Sequence, residues 1–430
     1  MSSLNPFLIP AIKRSFDVEV SLPGSKSIAL RQLAMAALAR GTTRLTGIPD
    51  CDDAQAMIDC LIELGVSIKT DGKNTIVKGP MDLSGSTVHL NARMSGASTR
   101  LLIGMAALRK GVTHIDGHSS LRARSNKPLF EVLQQQGCAV EFAASGGLPA
   151  TITGPIEISP SLTIDGSLSS QYITALLLIA PMTCPDSGQL IKISGDLVST
   201  PYLDITLNEM SKCGVNAQWQ DANTIFVEQS QYQTGQRTIE GDATAATYFS
   251  ALATLHGGTV TLTNIDQTTH QGDYEFCTVM EALGATVERA GHTRIKGPAR
   301  LTPLRQVDMQ AMPDAALTLI AMSPLLPGTN TITGLQSLHH KECDRLECPA
   351  TELRAMGVDV KTSADSITIE EIEPSKIASH TLTTYHDHRM AMAFSLLGSC
   401  SHTLQVDDKA VVNKTYPNYW HDYTKLSANL

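Results

Sequence analysis

The sequence predicts an α/β protein of two similar domains, each made of three copies of one helix-and-strand unit. Three observations support this. Six segments set small polar or charged residues ahead of a long apolar run, and they recur at a nearly constant spacing. A second landmark, an amphipathic run ending in Gly and leading into alternating residues, keeps the same beat. Aromatic residues are only 4% of the chain against 42% hydrophobic, so the core must be built from Leu, Ile, Val, Ala and Met, which suits helices on sheets.

Taken in order, SKSIALRQLAMAALARG begins at Ser25, SGASTRLLIGMAALRKG at Ser95 and LSSQYITALLLIAP at Leu168. GDATAATYFSALATLHGG follows at Gly241, PDAALTLIAMSPLLPG at Pro313 and HDHRMAMAFSLLG at His386. Ser27 to Ser98 is 71 residues and Ser98 to Ser170 is 72; Asp242 to Asp314 is 72 and Asp314 to Asp387 is 73. Between them stand ELGVSI, QQGCAV, KCGVNA, ALGATV and AMGVDV, with glycines at 65, 137, 214, 284 and 357. Each Gly suits a helix end in the left-handed conformation, and the alternation after it suits a half-buried strand. Each unit therefore reads helix, strand, helix, strand. The first three apolar helices open with Ser and the last three with Asp, which places a domain boundary near Glu240 to Asp242. The domains are residues 25–241, and residues 1–24 together with 242–430.

The six leading helices are apolar nearly all round, so they are buried and only their ends can meet a ligand. A helix N-terminus attracts anions through its unpaired N–H groups and its partial positive charge. Ser27, Ser98, Ser170, Thr244 and their neighbours are suitable residues for those ends. Several ends also carry cations, namely Lys26, Arg31, Arg100, His388 and Arg389, which is electrostatically the wrong end unless an anion is bound there. Further cations sit in Leu121-Arg122-Ala123-Arg124, in His340-Lys341-Glu342-Cys343-Asp344-Arg345 and in Asn413-Lys414-Thr415. Arg grips phosphate or carboxylate with a fork, and Lys does so as a point charge. The expectation is a concentrated basic site for small polyanions within a chain of net charge −9. Asp314, after a Pro at a helix start, and Glu342, between Lys341 and Arg345, are the candidate proton-transfer groups; a helix cap and a surface ion pair are the plain alternatives.

Other classes are disfavoured. An acidic chain poor in aromatics is a poor partner for nucleic acid or anionic lipid. The nine cysteines form no CxxC pair, and scattered thiols of this kind argue for a reducing cytoplasm. The longest strongly apolar stretch, Ile173 to Met182, cannot span a bilayer, and the start is too broken by Pro for a signal peptide. GxGxxG and GxxxxGK[ST] are absent. His386-Asp387-His388 and His339-His340 are weak metal signals without a third ligand at a supportive spacing, so no metal is expected.

LPGSKS, the LRAR that carries Arg124, DGSLSSQYITALLLIAP, GDLVSTPYLDITL, EGDATAATYF, PDAA, KECDRL, DHRMAMAFSL and NKTYPNYW resemble the enolpyruvyl transferases, and among these the branch acting on shikimate 3-phosphate. The resemblance runs from about Leu22 to about Tyr419. It implies two domains, each of three βαβαββ units of inside-out α/β barrel type, with the active site in the cleft between them. It implies a cytoplasmic monomer that transfers the enolpyruvyl group of phosphoenolpyruvate to the 5-hydroxyl of shikimate 3-phosphate, with no cofactor, metal, nucleic acid or membrane. Lys26, Ser27, Arg31, Ser169, Ser170, Gln171, Ser199, Tyr202, Asp314, Ser337 and Lys341 match positions that hold shikimate 3-phosphate. Lys26, Gly96, Arg124, Gln171, Arg345, Arg389 and Lys414 match positions around phosphoenolpyruvate. Asp314, Glu342 and Lys26 match the catalytic groups, Asp314 as base for the hydroxyl and Glu342 as acid toward the methylene.

The chain departs from the family pattern at Ala29 and Leu30, where Ser and Asn are usual, at Met94 and Ala97, where Asn and Thr are usual, and at Ser125, where Pro is usual. These departures imply an altered phosphoenolpyruvate pocket and weaker inhibition by glyphosate. Three alternatives remain at this level. One is the sister reaction on UDP-N-acetylglucosamine, disfavoured because Ser119 stands where that enzyme carries a Cys. The others are a paralogue with a different hydroxylated acceptor and a non-catalytic anion-binding relative.

Overall fold

The computed structural model describes residues 4–401 and 403–428. The chain divides into two compact units, one of Gly24–Ile239 and the other of the segment up to Pro23 with everything from Glu240 on.

In the Gly24–Ile239 unit, the second and third repeats run strand, helix, strand, helix, strand, strand, and the first runs the same way from its helix on. The helix, strand, helix, strand reading lacked the opening strand and the closing partner of the hairpin. Those strands are short: Val88–Asn91 and Ser161–Asp165 open the second and third repeats, with no more than five residues each. Three four-stranded sheets result, each with one parallel pair followed by antiparallel pairs. In the first sheet the parallel partner of Gly41–Thr46 is Gln236–Thr238, from the far end of the unit. The strand that precedes the first helix in sequence, Asp17–Val20, instead pairs in parallel with Thr259–Leu262 of the other unit's first repeat.

The second unit repeats this plan twice with four-stranded sheets. Its last repeat has a three-stranded sheet in which Phe7–Leu8 pairs antiparallel with Leu404–Val406. The 3-10 turn Lys409–Lys414 and the helix Tyr419–Ala428 close that repeat.

The leading helices occupy the interior of each unit. Lys26–Leu38, Gly96–Ala106 and Ser170–Thr183 pack on one another, as do Ala243–His256, Pro313–Met322 and His388–Cys400. Every residue from Ile28 to Leu38 is buried. This explains why these helices carry no polar face: they have sheets or sister helices on all sides. A fully buried Leu or Ile side chain stabilises by roughly 1.5–3 kcal/mol, and each unit has its own large apolar cluster of such residues. The second landmark also holds. Gly65 and Gly284 follow the helices Asp52–Glu63 and Phe276–Ala282 with φ of +85° and +101°, which other residues rarely adopt.

The caps fall on neighbours of the named residues, slightly ahead of them. Ser25, Ser95, Ser169, Asp242 and Asp387 accept the first-turn N–H groups with their side chains, while Ser27, Ser98, Ser170 and Thr244 lie within the helices. The Pro313–Met322 helix has no side-chain cap, so Asp314 is available for other contacts. Among the described residues no helix is long and apolar enough to cross a membrane.

Candidate active site

In the Gly24–Ile239 unit the three leading helices are tied together at their starts. Lys26 pairs with Asp53 at 3.3 Å, and the Asp53 carbonyl accepts a hydrogen bond from the Ser98 hydroxyl. Asp53 is buried at the start of the Asp52–Glu63 helix, so Lys26 supplies the charge its burial requires. A Cβ on Gly96 would fall 2.4 Å from Arg100 Nη1 and 2.6 Å from Arg124 Nη1, so two guanidiniums crowd the N-terminus of the second helix. The Ser125 carbonyl accepts from the Tyr172 hydroxyl at 2.7 Å and from Arg100 at 3.5 Å. It thereby links the Arg124 segment to the Gly96 and Ser170 helices. Gln171 sits in the first turn of that third helix with a buried Oε1 that has no hydrogen-bond partner among the described residues.

Arg31 is arranged differently. It is buried and donates to Thr206, Thr174 and the carbonyls of Ser27 and Tyr202. Burial pulls its pKa down to about 10, against the pull of Tyr202 and Glu209. Its guanidinium thus joins the first and third helices to the Pro201–Lys212 helix. Ser199 has a left-handed backbone at φ +57° and accepts the Tyr202 N–H with its carbonyl.

The other unit gathers the two candidate carboxylates on one guanidinium. Arg345, 1% exposed, donates to Asp314 at 3.0 Å, to Glu342 at 2.8 Å and to Asp387 at 2.7 and 3.1 Å. Asp314 is also held by Arg389 at 2.9 Å and lies 3.4 Å from Lys341. Lys414 stands 4.0 Å from Glu342. Four cations therefore surround three carboxylates. Glu342 is an internal ion pair with only 17% of its side chain exposed, not the surface pair considered for it. Ser337 lies in the turn Gln336–His340, just ahead of Lys341.

Burial alone would raise the Asp387 pKa, but Arg345 and His388 override it and hold the carboxyl far below its ordinary value. Burial lowers the His388 pKa to about 4, leaving the ring neutral near pH 7. Asp387 also caps the His388–Cys400 helix, so one buried side chain fixes both Arg345 and the Arg389 backbone. Among the described residues no group of three or more His, Cys, Asp or Glu could hold a metal ion.

Sequence reasoning missed Asp53 and Asp273. Asp53 is one of two acids in the first turn of the Asp52–Glu63 helix, a common place for an acid, so nothing in the order of residues marks it. Asp273 lies off the repeat landmarks, and no sequence signal marks it. Asp273 is buried, accepts from Thr244, and has no hydrogen-bond partner for Oδ1 among the described residues. Burial, reinforced by Asp314, pushes its pKa up from 3.8 to about 7. The folded state then holds a proton that the unfolded chain releases between these values, so the penalty is absent below the lower one and complete above the higher. Asp273→Asn should therefore stabilise the protein by on the order of 1 kcal/mol or more at about pH 8 and by little at about pH 4, as read by urea unfolding. Equal effects at both pH values would contradict this.

The departures from the family pattern separate. Ala29 and Leu30 are buried among core residues and make packing contacts. Ser125 contributes its carbonyl to the Tyr172–Arg100 network, which a Pro would supply equally well. Met94 and Ala97 remain, on either side of the Ser95–Gly96 helix start.

A sequence profile described as EPSP synthase (3-phosphoshikimate 1-carboxyvinyltransferase) matches residues 11–423. The 3-phosphoshikimate 1-carboxyvinyltransferase of Photobacterium profundum is 37% identical over 418 residues, covering 95% of this chain and 96% of that one. The Vibrio cholerae enzyme of the same name is 36% identical over 417 residues, covering 95% and 96%. Among solved structures, EPSP synthase from Acinetobacter baumannii superposes with a TM-score of 0.79 at 23% identity over 98% of each chain. The enolpyruvyl transferase NikO from Streptomyces tendae gives 0.76 at 16% identity over 99% of this chain and 98% of its own. With residues 11–423 matched and a curated relative 37% identical over 95% of the chain, the chain belongs to the EPSP synthase family.

Proposed function

We propose that the protein transfers the enolpyruvyl group of phosphoenolpyruvate to the 5-hydroxyl of shikimate 3-phosphate and releases phosphate. The observation that carries this reading is the placement of Asp314 and Glu342 on the same buried guanidinium, ringed by Lys341, Arg389 and Lys414. The names of the curated relatives support the same reaction.

Shikimate 3-phosphate is held by Lys26, Ser27, Ser169, Ser170, Gln171, Ser199, Tyr202, Ser337 and Lys341. Arg31 backs this set by fixing the first and third helices. Phosphoenolpyruvate carries phosphate and carboxylate groups, which suit Arg124, Arg345, Arg389 and Lys414, with Lys26, Gly96 and Gln171 alongside. As that anion arrives it competes for Arg345 and Arg389, which neutralise Asp314 before it binds. Loss of those partners raises the basicity of Asp314, so it accepts the 5-hydroxyl proton only once both reactants are in place. Glu342 donates a proton to the methylene, C2 becomes cationic, and the 5-oxygen bonds to it. Collapse of the tetrahedral adduct then breaks the bond from C2 to the phosphate oxygen, Glu342 takes a proton back from the methyl carbon to restore the double bond, and the phosphate leaves with the proton that Asp314 had accepted. General acid–base transfer contributes about 10²–10⁴-fold, and positioning two reactants contributes further. The enzyme works as a monomer in the cytoplasm, and nine unbridged thiols support the compartment.

Acceptor choice tests the reading. With phosphoenolpyruvate present, shikimate 3-phosphate should yield the enolpyruvyl ether by mass spectrometry, and UDP-N-acetylglucosamine should yield none. An ether formed only on another hydroxylated acceptor would overturn it. Glyphosate should inhibit at least about tenfold more weakly than it inhibits a sensitive family member, the scale set by changed side chains at the Gly96 helix start. Equal inhibition constants would remove any role for Met94 and Ala97.

A further inference from the structure

The backbone that delivers Asp387 and Arg389 is held in an unfavourable shape, and a buried carboxylate that bonds to no site residue holds it there. Tyr385 and His386 have φ of +53° and +57°. That left-handed region is tolerable for His but disfavoured for a side chain as bulky as Tyr, and two such residues in a row persist only where surrounding contacts impose them. Those contacts converge on Glu352, in the helix Glu347–Ala355. Glu352 Oε1 accepts from the Tyr385 hydroxyl at 2.7 Å. Its Oε2 accepts from His380 Nε2 at 2.7 Å and from the Thr383 N–H at 3.2 Å. Asp407 accepts the Thr384 N–H, and the Thr384 carbonyl accepts the N–H of Asp387.

Glu352 is 4% exposed, and among the described residues no Lys or Arg pairs with it. A carboxylate buried so deeply is costly unless it is well bonded, and all three of its donors lie between His380 and Tyr385, just ahead of Asp387. Two chain segments meet here. One runs from Glu342 through Arg345 to the helix that carries Glu352, and the other from His380 through the turn to Asp387 and Arg389. Arg345 and Asp387 join them at 2.7 and 3.1 Å, and Glu352 joins them a second time.

We infer that Glu352 is a positioning residue for the transfer reaction: by locking the turn at residues 383–386 it sets Arg345, through Asp387, and Arg389 at the angles that receive phosphoenolpyruvate. Glu352 bonds to none of the groups assigned to either reactant, so it acts through the turn alone. Without it Tyr385 is free to leave the left-handed region. Asp387 then shifts against Arg345 and against the Arg389 N–H that it caps, and the 2.9 Å bond from Arg389 to Asp314 loosens. Shikimate 3-phosphate is assigned chiefly to groups of the Gly24–Ile239 unit, so its binding is largely spared.

The kinetic effect rests on the proposed reaction, whereas the hold on the turn does not. In the full chain, Glu352→Ala should lower kcat/KM for phosphoenolpyruvate at least about tenfold, with KM for shikimate 3-phosphate within about threefold of the parent. Glu352→Gln keeps an acceptor for the backbone and can donate to the Tyr385 oxygen, so it should recover most of that loss. Tyr385→Phe removes one bond of the three and should show the same selective loss at smaller size, which decides the matter if Glu352→Ala does not fold. The inference fails if the folded variants keep the parent's constants for phosphoenolpyruvate and lose only urea resistance, or if both substrates are weakened alike. A crystal structure of Glu352→Ala, or of Tyr385→Phe in its place, reads the turn without any assay. Tyr385 should have left the left-handed region and Arg389 should have moved from Asp314; both unchanged would overturn the inference. An inactive parent would overturn the proposed reaction, and the same crystal structure would still report on the turn.

Discussion

Asp314→Asn should lower kcat by about 10²–10⁴-fold while leaving the fold intact, because it removes the base but keeps the shape and one acceptor for Arg345 and Arg389. KM for shikimate 3-phosphate should change far less than kcat, since a group that acts on the proton contributes mainly in the transition state. The acid limb of the pH–rate profile should also change, since that limb reports the base. Steady-state kinetics of both substrates check this. A variant with kcat within about threefold of the parent would show that Asp314 is one more anchor for the surrounding cations and that the base lies elsewhere.

Arg345→Met should be the most destabilising single change in the site. The Arg345 guanidinium is the hub for Asp314, Glu342 and Asp387, and Asp387 is fully buried. Three carboxylate attractions outweigh the burial that opposes its charge, so its pKa is raised. Methionine keeps much of the volume and strands the Asp387 charge. Removing one partner of a buried pair costs about 3–5 kcal/mol, and urea unfolding at neutral pH should show a loss of that size. Arg345→Lys should recover part of the stability but little activity, since an ammonium cannot bond three carboxylates at the separate angles of a guanidinium. A loss below about 1 kcal/mol for Arg345→Met would contradict the hub.

The repeat made much of this fold readable. A buried helix must be apolar all round, a left-handed helix end favours Gly, and both requirements recur with each unit, so spacing alone exposes them. Strands such as Val88–Asn91 carry too few residues for an alternating pattern to stand out. The parallel partner of Gly41–Thr46 lies almost two hundred residues away, at Gln236–Thr238, and no local pattern encodes such a pairing.

The charged residues of the site were legible for a different reason. Lys26, Arg389 and Asp314 occupy helix starts, where their charge conflicts with or complements the helix dipole in a way that can be read from order alone. Arg31 was equally legible as a cation, but its commitment to Thr206, Thr174 and two carbonyls depends on helices far apart in sequence. Asp53 and Asp273 stayed hidden because an acid is notable only when buried, and burial is a property of the fold.

The most direct test of the whole account is phosphate release from phosphoenolpyruvate by the full chain, with and without shikimate 3-phosphate. The account predicts release only when both are present, in equal amount to the ether formed, and its loss in Asp314→Asn. Release from phosphoenolpyruvate alone, or none with both ligands bound, would contradict it.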